Sequence, residues 1–103
     1  MMKYSISQIK QKTIVQISGF LNEKEILDLE RDLHAKMSGS NTIVFECREL
    51  DYISSTCIRF LLILHNEMRA KGGKMTINNL QPDLQKMIQW AGFEHEFTFT
   101  QDN

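Results

Sequence analysis

Three hydroxyls and a thiol follow one another at Ser54, Ser55, Thr56 and Cys57, inside the stretch ELDYISSTCIRFLL that spans 49–62. The stretch runs from an acidic, strand-ending segment into an apolar, helix-like run. A tight turn into a helix is ordinarily built from Gly, Asp or Asn, and the helix needs a single hydroxyl as its N-cap. Ser54, Ser55 and Thr56 are each competent as that cap, so at least one hydroxyl remains for another purpose. The thiol also has two readings. At a helix N-terminus its pKa can fall, which would make Cys57 redox-active. As one of only two cysteines, without CxxC spacing, it reads with Cys47 as a small, buried, reduced hydrophobe. An enzyme using Cys57 as nucleophile lacks a visible base. His34, His65 and His95 are far apart, without ligand spacing, and read as surface or partly buried side chains; no metal site and no cofactor are expected. Asp51, just before the turn, reads as a solvated loop carboxylate.

The elements that position this junction follow from apolar periodicity. KYSISQI (3–9) and TIVQISG (13–19) alternate as strands and are close enough to form a hairpin. Asn22 is placed to cap a helix, with Glu23 and Glu25 at its positive end. Ile26, Leu29, Leu33 and Met37 recur at three- and four-residue steps as its core stripe, and Ser38-Gly39-Ser40-Asn41 ends it. TIVFEC (42–47) is a short β-branched run that reads as a central strand. A second helix is expected from about Ser55 to Lys71, stopped by Gly72-Gly73. KMTINN (74–79) is the next strand, a third helix covers 82–91 from Pro82 with Leu84, Met87, Ile88 and Ala91 inward, and EFTFT (96–100) is the last strand. Trp90 and Phe93 are expected to pack the third helix on the sheet. The order β-β-α-β-α-β-α-β predicts an α/β fold with a mixed sheet and helices packed on it, a single domain over 1–103.

On the second helix, Cys57, Leu61, Leu64 and Met68 share the core side, flanked by Ile58 and Phe60. Leu62 and Ile63 fall on the far side beside Arg59, Asn66 and Arg69. They either pack under a neighbouring helix or form a small partner-binding patch beside the hydroxyls.

Composition narrows the partners. The chain has 103 residues, 42% hydrophobic and 24% charged, enough for a core without staples. A net charge of −1 gives no basic footprint for nucleic acid. No apolar run approaches the roughly 18 residues of a membrane-spanning helix, and MMKYSISQIKQ lacks the apolar stretch of a signal peptide, so a cytoplasmic protein is expected.

The order of elements, the LDYISSTCIRFLL junction, the earlier SGFLN and the tail AKGGKMTINNLQPDLQKMIQWAGFEHEF together resemble a STAS domain, the family of anti-sigma-factor antagonists. The resemblance covers nearly the whole chain. Gly72-Gly73, the helix 82–91 and Ala91-Gly92-Phe93 sit where that family's tail requires them. The resemblance implies a non-enzymatic module that binds an anti-sigma factor, often a serine kinase, and so frees a sigma factor for transcription. Phosphorylation of the signature serine breaks the complex, and a phosphatase restores it. Aligning the family's Asp-Ser-Ser/Thr-Gly signature places Ser54 on the Asp, Ser55 on the phosphoacceptor, Thr56 on the next small residue and Cys57 on the glycine. Asn22, Ser54, Ser55, Thr56, Arg59, Leu62 and Ile63 are then the expected partner-binding residues. The departures at positions 54 and 57 keep an alternative open: a constitutive STAS scaffold subunit of a transporter or signalling complex, not regulated by phosphate.

Overall fold

The computed structural model describes residues 3–102; Met1, Met2 and Asn103, the ends of the expected 1–103 domain, lie outside the described residues. A hairpin opens the chain, β1 (Tyr4–Ile9) against β2 (Lys12–Gly19), antiparallel with Tyr4 opposite Ile17 and Ile9 opposite Lys12. Helix α1 (Glu23–Lys36), strand β3 (Thr42–Leu50), helix α2 (Ser55–Ala70), strand β4 (Lys74–Asn78), helix α3 (Pro82–Trp90) and strand β5 (Phe99–Thr100) come next. The five strands lie in sequential order β1-β2-β3-β4-β5, with β2 through β5 parallel. Crossovers between neighbouring parallel strands are right-handed, so successive ones in one direction bring their helices to the same face. The strands alternate accordingly: Val15, Ile17, Ile43, Phe45, Cys47, Met75 and Ile77 are buried under the helices, while Gln16, Val44, Glu46, Thr76 and Asn78 face the open side.

Three expectations need correction. EFTFT is not a continuous strand: a 3₁₀ turn occupies Glu94–Glu96, and pairing is confined to Phe99–Thr100 on β4. Its alternation is real, with Phe97 buried and 6.1 Å from Phe99, but the chain reaches the sheet edge late because Phe93 accepts a turn bond from the Glu96 N–H at 3.1 Å. Trp90 does not pack on the sheet; it is 79% exposed, while Phe93 is half-buried against the core. At about 100° per residue Trp90 falls roughly opposite the buried Leu84 and Ile88, so the stripe that seats α3 excludes it. Element ends also differ from expectation: α2, β4 and α3 each stop one residue early, at Ala70, Asn78 and Trp90, and β3 runs three residues beyond Cys47, to Leu50.

The end of β3 is locally reshaped. Gln16 pairs with Glu46 but Ser18 with Glu49, so β3 carries one extra residue there. Such a bulge bends the strand and re-aims the chain beyond it, here the loop into α2. Gly19, at φ +65, turns the end of β2 in a conformation that side-chain-bearing residues rarely adopt, and its carbonyl accepts the Asp51 N–H at 2.9 Å. The loops before α1 and α2 are thereby tied together.

Candidate functional site: the start of helix α2 and the groove beside it

The hydroxyl cluster divides its roles by position. Ser54, extended at φ −90 and ψ 165, is the N-cap of α2, its Oγ accepting the Cys57 N–H at 3.1 Å. That resolves the choice left open among three hydroxyls. Ser55, the first residue of the helix, is exposed, and Thr56 is half-buried. The Ser55 Oγ makes no hydrogen bond among the described residues. The first turn of α2 contains no acidic residue, so its exposed N–H groups and positive dipole end lack a carboxylate to balance them. Replacing Ser54 with Ala is expected to lower unfolding stability by about 1 kcal/mol, the usual value of an N-cap hydroxyl, read as a lower urea midpoint at unchanged slope.

Cys57 sits on the inner side of the same turn, 3% exposed, and burial pushes its thiol up to about 12. Burial raises Cys47 as well. A thiolate is the reactive form, and desolvation in the core opposes it, so Cys57 matches the reading of a small, buried, reduced hydrophobe. The histidines are also placed away from Ser55. His34 sets Nδ1 2.8 Å from the Glu30 carbonyl and Nε2 3.1 Å from Glu67, tying α1 to α2, and these acceptors raise its pKa. His65 is buried edge-on to Phe97 at 5.8 Å, with its pKa lowered by desolvation. His95 lies in the turn before β5.

One wall of a groove of about 490 Å³ is the outer side of α2: Ser55, Ile58, Arg59 and Leu62. Tyr52 and Ile53 close its end, and Met87, Ala91 and Phe93 form the α3 wall. Leu62, half-buried, points into this groove and also packs on the core; Ile63, 45% exposed, is not among the groove's residues. The expected Leu62–Ile63 patch is therefore split, because consecutive helical residues diverge by about 100°. Asn22 caps α1 in a reciprocal capping box: its Oδ1 accepts the Glu25 N–H at 2.8 Å, and its own N–H donates to Glu25 at 2.9 Å. Its loop is held to the α2 loop by the Gly19–Asp51 backbone bond and by Phe20, whose ring lies 5.4 Å from that of Tyr52. Thus Ser55, Arg59 and Leu62 share one surface, Ser54 supports it, and Asn22 and Ile63 stand outside the groove.

The α3 wall was missed from sequence, where Met87 and Ala91 read simply as core. A signal was available: Trp90, three residues beyond Met87, cannot share the stripe of Leu84 and Ile88.

The STAS domain family model matches residues 3–103. The chain belongs to the STAS domain family. The chain is 28% identical over 93 residues to BtrV of Bordetella bronchiseptica, a protein named as an anti-sigma factor antagonist, covering 89% of this chain and 80% of that one. Among solved structures it superposes on the anti-sigma factor antagonist SpoIIAA in its unphosphorylated form with a TM-score of 0.84 at 14% identity, covering 97% of this chain and 88% of that one. The phosphorylated form of SpoIIAA, a Bacillus cell fate determinant, superposes with 0.79 at 14% identity, over 97% and 91%. In this STAS chain the groove lies between the first half of α2 and the last turn of α3, with Tyr52 and Ile53 of the β3–α2 loop beside it. Among the described residues no helix is long and apolar enough to cross a membrane.

Proposed function

We propose that this STAS domain is an anti-sigma-factor antagonist: a non-enzymatic, cytoplasmic binding module that docks on an anti-sigma serine kinase through the Ser55 turn and the Arg59–Leu62 side of α2. Kinase phosphorylation of Ser55 dissolves the complex, and a phosphatase restores it. The observation that carries the reading is the division of labour at the turn. Ser54 takes the capping role, which leaves the Ser55 hydroxyl exposed and at the mouth of the groove. A phosphoryl group brings about −1.5 to −2 charges. On Ser55 it would meet the positive end of α2, which has no carboxylate in its first turn, so the fold tolerates it. A partner packed flush on the same spot would not.

The constitutive scaffold reading rests on Ser54 where the family carries Asp. Asp and Ser are comparable N-caps, so the backbone arrangement at Ser55 survives this exchange and the switch reading is favoured. The test is to purify the anti-sigma serine kinases of the source genome one at a time and incubate each with the chain and ATP. One of them is expected to bind the unmodified chain and add a single phosphoryl to Ser55, identified by peptide mass spectrometry. No phosphate uptake from any of them would leave the scaffold reading in its place.

A further inference from the structure

The α3 wall of the groove has no role in the Ser55 switch, yet it carries the largest exposed side chain beside it. Trp90 lies on α3 about 60° beyond Met87, on the side away from Ile88, and is 79% exposed. Between α3 and α2 the groove is apolar, with Ile53, Ile58, Leu62, Met87 and Phe93 along it and the small Ala91 among them, while Trp90 stands outside the lining, next to Met87 on the solvent side. Arg59 is the only charged residue in the lining, and it makes no ion pair among the described residues. Gly92, at φ +87, reverses the chain after α3 and lets Phe93 close the wall.

We propose that this groove seats an apolar helix of the anti-sigma partner, anchored on Trp90 and carrying one carboxylate that pairs with Arg59. The proposal rests on the antagonist reading and adds the chemistry of the docked segment. An apolar groove between two helices is the kind of surface that takes the apolar face of an amphipathic helix, through side chains spaced at i, i+3/i+4 and i+7. Exposed Trp and Arg residues are the types that dominate interface energetics once desolvated. The lone guanidinium sets the sign of the occupant's charge. It also connects docking to the switch, because Arg59 lies one helical turn beyond Ser55 and both line the groove. A phosphoryl group on Ser55 would compete for Arg59 and repel the partner's carboxylate at the same place.

The test uses the kinase that binds the unmodified chain, titrated calorimetrically against folded, full-length variants. Trp90→Ala is expected to weaken binding about tenfold or more while leaving the circular dichroism and thermal midpoint unchanged, since the ring is mostly in solvent. Met87→Glu should remove binding. Arg59→Glu should weaken it, and exchanging one kinase Asp or Glu for Lys should restore it. Wild-type affinity of both Trp90→Ala and Arg59→Glu, with Ser55→Asp still released, would overturn the groove proposal and leave the antagonist reading standing. If no kinase binds the unmodified chain, the antagonist reading itself fails and the groove proposal with it.

Discussion

Ser55→Asp is expected to abolish binding to the anti-sigma kinase that the unmodified chain binds, while the thermal midpoint moves by no more than about 2 °C, less than 1 kcal/mol is worth in a domain of this size. The fold has little to lose at this position. Ser55 is exposed, and the capping hydrogen bond belongs to Ser54, so no internal contact is removed. The new carboxylate enters the first turn of α2, where none stands and where negative charge is favourable by about 0.3–1 kcal/mol. At the interface the balance reverses, because a charge buried without a matched partner costs several kcal/mol. Ser55→Ala provides the control: it should bind like the unmodified chain and take up no phosphate. Calorimetric titration beside a thermal melt measures both halves. Undiminished binding by Ser55→Asp would sink the interface switch, and a large fall in the midpoint would mean that charge acts by unfolding the turn.

How far this behaviour could be read from sequence depends on whether it resides in one element or between two. The strand and helix order was legible because each segment carries its own period, and the α1 cap at Asn22 because its capping box is local. The junction at 54–57 was legible only as a surplus. Three successive hydroxyls are chemically equivalent as caps until the backbone places Ser54 extended and Ser55 in the helix. Cys57 was ambiguous for a similar reason: the helix dipole is a local term, whereas the burial that keeps its thiol protonated comes from packing across the domain. The groove was not visible at all, since Leu62 and Met87 are 25 residues apart in the chain and meet only when α2 and α3 lie on the same sheet face. Trp90 was misread because a large aromatic near a helix end suggests core, while its angular position relative to Ile88 places it outside.

Phe45→Ala, by contrast, should damage the scaffold and spare the surface. Phe45 is fully buried at the centre of β3, between Val15 of β2 and Ile77 of β4, and its ring meets that of Phe60 on α2 edge-to-face at 6.1 Å. Truncation removes the transfer energy of the ring and leaves a cavity under α2, a loss of about 3–5 kcal/mol. Small domains have only about 5–15 kcal/mol in total, so the thermal midpoint should fall by on the order of 15 °C or more in a calorimetric scan. Kinase binding should nevertheless persist well below the new midpoint. Affinity falls only by the fraction of molecules that remain folded, and that fraction stays near one while about 2 kcal/mol of stability is left. The two variants thus fail in opposite ways: Ser55→Asp keeps the fold and loses the partner, whereas Phe45→Ala keeps the partner until the fold gives way. A Phe45→Ala protein that is folded at the assay temperature yet binds as poorly as Ser55→Asp would show that the surface of α2 depends on the ring beneath it, since only a shift of the helix could pass the loss at Phe45 to Ser55 and Arg59.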